Sequence, residues 1–115
     1  MKRIETHQLG IEQGSILLFS DFQDDGEMWT GTGPRHMRRV IEFDEPFLHA
    51  PSVTVSLSML DIDQASNHRV DISADMITDD SFVIIFRTWG DTRVARVRAD
   101  WMAFGAVRHE DDWTL

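Results

Sequence analysis

The chain has 115 residues, no cysteine and a formal net charge of −9. That length makes one domain that can bury a core without metals or disulfides, and the missing cysteines exclude a disulfide framework and any thiolate metal site. With 20 acidic residues against 11 basic ones, the balance argues against a general nucleic-acid binder, whose phosphate contacts need clustered Lys and Arg.

In chain order, Met1 to Gly14 is mixed, with a weak alternation. The basic start, Met1-Lys2-Arg3, has no apolar run behind it, so no signal peptide is read there. The expectation is a chain that is cytoplasmic as synthesised, unless it is released or carried in an extracellular particle. No stretch approaches about 18 consecutive apolar residues, so no membrane insertion is expected. Gly14 to Phe19 is a compact apolar run and the first strand candidate. Ser20 to Arg35 reads as a loop, dense in turn formers such as Asp24, Asp25, Gly26, Gly31, Gly33 and Pro34. Met28 and Trp29 inside it predict a loop folded over a sheet, and ordered loops of this length are often functional.

Met37 to Phe43 is the second strand candidate. It puts Met37, Arg39, Ile41 and Phe43 on one face, where Arg39 interrupts an apolar pattern. Asp44-Glu45-Pro46 turns the chain and Phe47 anchors it. Val53, Val55, Leu57 and Met59 then alternate with Thr54, Ser56 and Ser58, the cleanest strand signal present. Asp61 to Asn67 is polar and loop-like. In Arg69 to Met76, Val70, Ile72, Ala74 and Met76 share a face. Thr78 to Ser81 is a turn.

Phe82 to Phe104 is the stretch on which the reading turns. Its first arm, Phe82–Arg87, is nearly all apolar. Its second alternates, with Ala95, Val97, Ala99, Trp101 and Ala103 on one face and Arg96, Arg98, Asp100 and Met102 on the other. Gly90 and Asp91 supply the permissive backbone of a tight turn, so Phe82–Thr88 is expected to pair with Val94–Phe104 as a hairpin. The residues after Gly105, Arg108 to Asp112 with Trp113 beyond, read as a charged tail. No segment shows helical spacing with caps over a useful length. Six strand candidates separated by turn signals predict an all-β, six-stranded antiparallel sandwich. It is a single domain over 1–115, with its core at about 14–105 and its tail at 106–115. Val53, Val55, Leu57, Ile84, Phe86, Val97 and Trp101 are the expected core.

Few residues suggest chemistry. The five histidines, His7, His36, His49, His68 and His109, form no i, i+4 or H-x-H pair, so no metal site is assigned. Asp61-Ile62-Asp63 begins like a calcium loop, but Ala65 and Ser66 replace a ligand and the turn glycine. Its carboxylates are read as bonding their own loop. Gly31-Thr32-Gly33 lacks the third glycine and following helix of a nucleotide fingerprint. Nothing argues for catalysis, and no cofactor is called for. Trp89 either packs over a sheet edge or offers apolar area and an N–H to a sugar or partner. Arg69 is either a solvated strand residue or a fork of donors for hydroxyls or carboxylates.

The chain resembles the H-type lectin domain, of the snail agglutinin and discoidin kind. The residues that carry the resemblance are Phe43 to Phe47, Pro51 to Leu57, Leu60-Asp61-Ile62-Asp63, Asn67-His68-Arg69-Val70, Phe82, Thr88-Trp89-Gly90-Asp91-Thr92, Val97 and Trp101. The resemblance implies a non-catalytic lectin of the cell-adhesion type. Such domains form a homotrimer, sometimes a hexamer, and bind N-acetylgalactosamine or galactose between protomers without a metal. It places the carbohydrate site on Arg69, Trp89 and Gly90. Gly90 stands where the animal lectins have histidine, Ala95 where they have an aromatic, and Thr30 to Arg35 holds no acid where they have an aspartate. Arg35 and Arg93 would add positive character, so an acidic or N-acylated saccharide is as reasonable a ligand as N-acetylgalactosamine. The alternative is a trimeric assembly domain of a larger particle or fibre, with a degenerate sugar site.

Overall fold

The computed structural model describes residues 1–109. The acidic end of the expected tail and Trp113 lie outside the described residues. Six strands follow in order: β1 (Leu9–Ser20), β2 (Arg35–Glu42), β3 (Ser52–Ile62), β4 (Val70–Asp75), β5 (Ser81–Thr88) and β6 (Val94–Ala106). They form two antiparallel three-stranded sheets, one ordered β1-β6-β3 and the other β2-β5-β4. The six-stranded antiparallel sandwich expected from the sequence is present.

The expected hairpin is not. β5 is the central strand of one sheet and β6 the central strand of the other, so the segment between them crosses the sandwich as an arch. The physical reason lies in the apolar faces. β5 turns Phe82, Ile84 and Phe86 inward at 0% exposure, and β6 turns Val97, Ala99 and Ala103 inward at 0%. β5 is buried on both faces, Val83 at 8% and Ile85 at 1% on the other one, and stacking its Phe82–Ile84–Phe86 face on the apolar face of β6 buries both across the core. Side-by-side pairing would line those faces up in one sheet. The alanines of β6 leave room for the phenylalanines of β5, a large-against-small fit that keeps packing dense.

Aromatic rings close one end of the core. Phe82 lies 5.4 Å from Trp101 and 5.7 Å from Phe43, and Phe43 meets Phe47 edge-on at 5.0 Å. Trp101 is only half-buried, as are Val53, Val55 and Leu57. All four pack against the cluster from its margin. Gly14 makes room for the Trp101 ring, since a Cβ there would sit 2.8 Å from the indole.

Several boundaries differ from the sequence reading. β1 begins at Leu9 rather than Gly14 and pairs along β6 from Leu9–Ala106 onward. Its inward positions include Gly10, Glu12 and Gly14, which hid the alternation. The 20–35 loop holds two single-turn helices, α1 (Asp21–Asp24) and α2 (Glu27–Thr30), with Met28 buried beneath. Turns this short carry no readable period. A bulge in β3 between Leu57 and Met59 moves Met59 off the core register. Met76 is not part of β4: it takes a left-handed φ of 49° and stands exposed, with Arg38 Nη2 donating to its sulfur at 3.4 Å.

Arg39 does face the sandwich interior, at the open edge of β2. There its Nη2 donates to the Leu18 carbonyl at 3.2 Å. Leu18 is the residue β1 bulges out between Leu17 and Phe19, so Arg39 satisfies a carbonyl that has left the ladder.

Phe82→Ala is expected to lower stability by about 3–5 kcal/mol as a large-to-small change in a closed core. Trp101→Ala should fall at or below the low end of that range because part of its ring already meets solvent. Urea titration of both variants checks the order, and a larger loss at Trp101 would contradict this packing.

Candidate functional site at the Arg69–Trp89 turn

Three connections meet at one end of the sandwich: the α1–α2 segment, the β3–β4 loop and the arch between β5 and β6. Thr88, the last residue of β5, and Thr92 of the arch bind the β3–β4 loop. Thr88 Oγ1 donates to the Arg69 carbonyl at 2.6 Å. Thr92 Oγ1 donates to the Asn67 carbonyl at 2.6 Å and accepts from the Arg69 amide at 3.1 Å. Both hydroxyls are buried, at 1% and 0% exposure. The four-residue spacing of Thr88 and Thr92 therefore fixes both polar groups of the Arg69 backbone.

Val70 pairs with Thr88 at the last rung of the sheet, which sets Arg69 and Trp89 side by side just beyond it. Trp89 is 42% exposed, and Arg69 is exposed as well. The Arg69 side chain runs past Gly90, its Nε 3.4 Å from the point a Gly90 Cβ would occupy. Gly90 has a φ of +72°, so a side chain there would be strained as well as crowded. A shallow cleft of about 250 Å³ opens on the other flank of Trp89, lined by Pro34, Arg35, His36, Arg87, Thr88 and Trp89.

Arg35 is the scaffold of this end. It is 6% exposed and faces four backbone carbonyls. Nε donates to Gly33 at 2.9 Å, Nη1 to Glu27 and Met28 at 3.3 and 3.1 Å, and Nη2 to Gly90 at 3.3 Å. The Gly33 amide donates to the same Gly90 carbonyl at 2.9 Å. A planar fork of donors thus gathers carbonyls from α2, from the turn before β2 and from the arch. Four of its five N–H donors are committed to backbone carbonyls. Arg93 is committed too. Its Nε donates to the Trp29 carbonyl at 3.0 Å, its guanidinium lies 4.2 Å over the Trp29 ring, and Nη1 meets Asp63 at 3.6 Å. The fold fixes both arginines in place, Arg35 buried on backbone carbonyls and Arg93 exposed but anchored to Trp29 and Asp63. Asp63 also accepts from the Ala65 amide at 3.0 Å, so it bonds its own loop as read from the sequence, whereas Asp61 is still in β3 and pairs with Arg96 instead.

One acid near Arg69 was not singled out in the sequence. Asp91 is exposed, and Asn67 holds it: Nδ2 donates to Oδ1 at 3.1 Å and Oδ2 at 3.2 Å, and the Asn67 amide donates to Oδ2 at 3.4 Å. The Asn67 side-chain amide chiefly, with the Arg69 charge a smaller contribution, holds the Asp91 carboxyl below its ordinary value. The acid was sought in Thr30 to Arg35, but that loop is taken up by Arg35 and contributes backbone. Asp91 carried one readable signal, its position within T-W-G-D-T next to the tryptophan. Glu27 opens α2, and its backbone carbonyl serves Arg35. Ala95 is buried, so no aromatic could project from that position into the cleft without repacking.

A β-sandwich that gathers an exposed indole, an unengaged arginine fork and a carboxylate at the loops of one end is built as a carbohydrate-binding fold. The chain belongs to the H-type lectin domain family, whose model matches residues 38–104. It is 57% identical over 107 residues to a Fuscovulum blasticum protein described as "ATP synthase subunits region ORF 7", covering 93% of each chain. That description names a region and no activity. One of the discoidin-1 polypeptides of Dictyostelium discoideum is 30% identical over 81 residues, which are 70% of this chain and 32% of that protein. The structure of recombinant discoidin II from the same organism superposes with a TM-score of 0.74 at 22% identity, covering 91% of this chain and 40% of that one. The chain thus spans well under half the length of the discoidins it matches, and the discoidin II likeness shows the fold.

Thr92→Val keeps the shape of the threonine and removes its hydroxyl. It should cost about 1–3 kcal/mol for each buried group left unpaired, and hydrogen exchange should show the Arg69 amide opening more readily. Thr92→Ser should restore most of both, and an unchanged Arg69 amide in Thr92→Val would remove the clamp from the account.

Proposed function

We propose that the protein is a non-catalytic lectin domain that binds a surface glycan at Arg69, Trp89 and Gly90. The class of ligand is N-acetylgalactosamine, galactose or a related saccharide, with an acidic saccharide as the rival. The observation that carries this reading is the Arg69 guanidinium. Its backbone is bonded at both polar groups, yet among the described residues no hydrogen bond or ion pair engages the guanidinium itself. A structural arginine of this chain, such as Arg35 or Arg93, uses its donors. Arg69 presents its donors to solvent beside an exposed indole whose apolar face suits the C–H side of a sugar ring.

A homotrimer fits the outer face of the β1-β6-β3 sheet. There Arg96 pairs with Asp61 at 3.0 Å, and Arg98 Nε donates to Ser58 Oγ at 3.0 Å. Ser15 and Ser58 hold the Asp100 carboxyl below its ordinary value. Exposed Ile11, Leu17, Met102 and Phe104 flank this polar strip. An apolar and polar face of this kind can repeat around a closed threefold axis, and several shallow sites then act together through avidity. The second reading, an assembly domain with a degenerate sugar site, is favoured by one observation. Gly90 places no side chain beside Arg69 and Trp89, and its backbone resists one.

A glycan array probed with the wild type should show binding to one class of saccharide, lost in Arg69→Ala and strongly weakened in Trp89→Ala. Silence across the array from a folded wild type would favour the assembly domain. Sedimentation at micromolar concentration should give a trimer, and a monomer there would sink the threefold arrangement.

A further inference from the structure

We propose that the cleft on the flank of Trp89 away from Arg69 is an anion subsite, which seats the carboxylate of an acidic sugar between His36 and Arg87. This rests on the reading that a saccharide binds beside Trp89, and it selects the acidic class from the two left open there.

Three basic residues line this cleft, Arg35, His36 and Arg87, and none of its lining residues is acidic. In a chain with 20 acidic residues against 11 Lys and Arg, that is a local reversal of sign. The sheet register builds it. His36 of β2 stands opposite Arg87 of β5, and Arg87 stands opposite Asp71 of β4. Asp71 is therefore on the far side of Arg87 from His36, and it does not line the cleft. It meets Arg87 Nη1 at 3.5 Å, with the two side chains 53% and 49% exposed. The same nitrogen donates to Ser73 Oγ at 3.4 Å. Both contacts are long, and an ion pair this exposed is worth little. Among the described residues, Nε and Nη2 of Arg87 and the exposed His36 ring have no hydrogen-bond or ion-pair partner.

Arg35 supplies a field rather than a contact. It is 6% exposed, and its bonds go to neutral carbonyl oxygens. No carboxylate pairs with it among the described residues. Carbonyl dipoles satisfy its donors without cancelling its charge, and a buried charge is screened less than an exposed one. The cleft it lines therefore attracts an anion. There the free edge of the Arg87 fork offers donors matched to a planar carboxylate, and the imidazole of His36 adds an N–H. The volume of about 250 Å³ is below the roughly 300–1,000 Å³ of pockets for larger ligands. It suits one sugar unit or its substituent. Trp89 lines the same cleft, so a uronate whose C–H face rests on the indole brings its carboxylate to Arg87. A neutral galactoside has no charge to place there.

The test is calorimetric titration of methyl galacturonide and methyl galactoside, which differ only in the carboxylate, into wild type, Arg87→Gln and His36→Gln at low and high salt. Wild type should bind the galacturonide about tenfold tighter, the scale of one charge-assisted hydrogen bond. High salt should shrink that ratio, since Arg87 and His36 are exposed to screening. Arg87→Gln keeps an amide donor and loses the charge, so the ratio should fall close to one while the thermal midpoint moves little. His36→Gln should lower the ratio part of the way. Equal affinities in wild type, or a full preference kept by Arg87→Gln, overturn the subsite and leave the lectin reading standing. If Arg87→Gln does not fold, His36→Gln and the salt dependence decide: a preference that neither changes overturns the subsite. Wild type that binds neither glycoside, with a silent glycan array, overturns both this inference and the site reading beneath it.

Discussion

The arch between β5 and β6 depends on the hydroxyls of two buried threonines. Thr88 and Thr92 together satisfy the Asn67 carbonyl and both polar groups of the Arg69 backbone. A buried polar group left unpaired is costly, so such a set of bonds specifies one arrangement and penalises the alternatives. Through it the crossing segment and the β3–β4 loop become one rigid body. Everything exposed on that body, Arg69, Trp89 and Asp91, inherits its position from groups that are themselves hidden.

Arg35 does the same for the third connection. The α1–α2 segment consists of two single turns, too short to hold themselves together by helical cooperativity. A guanidinium fork that collects carbonyls from Glu27, Met28, Gly33 and Gly90 ties that segment to the arch. A lysine could not span four carbonyls from one nitrogen. The arginines at this end thus divide by burial and partner. Arg35 and Arg93 are structural because backbone carbonyls, a carboxylate and an indole face hold them. Arg69 stands apart because its backbone is held while its side chain is left to solvent. A chain of strongly negative charge thereby keeps an unengaged guanidinium beside an exposed indole.

Placing β5 and β6 in opposite sheets also explains where the site lies. A two-residue hairpin would have folded back within one sheet and carried Trp89 to its rim. An arch must cross the thickness of the sandwich, and the crossing exposes a short run of residues at the open end. That run meets the loops entering β2 and β4, the two neighbours of β5. The site is therefore composite, formed by three segments that are distant in sequence and joined by side-chain-to-backbone bonds.

Much of the sandwich was legible in advance because strand periodicity is a local property. The alternation of β6, the apolar run of β5 and the Val53–Leu57 pattern each needed only their own residues. The T-W-G-D-T and N-H-R-V segments located Arg69 and Trp89 through the family resemblance that they carry. What the sequence by itself determined is thus the strand content, the family and two exposed residues of the candidate site. The tertiary structure alone decided which sheet each central strand joins, because a tight turn and an arch use the same permissive Gly90 and Asp91. It alone showed Arg39 as a cap on a bulge and Arg35 as a scaffold, since an arginine's role follows from which carbonyls surround it. It alone brought Asn67 to Asp91, across 24 positions of the chain, and a contact of that range leaves no local pattern to read.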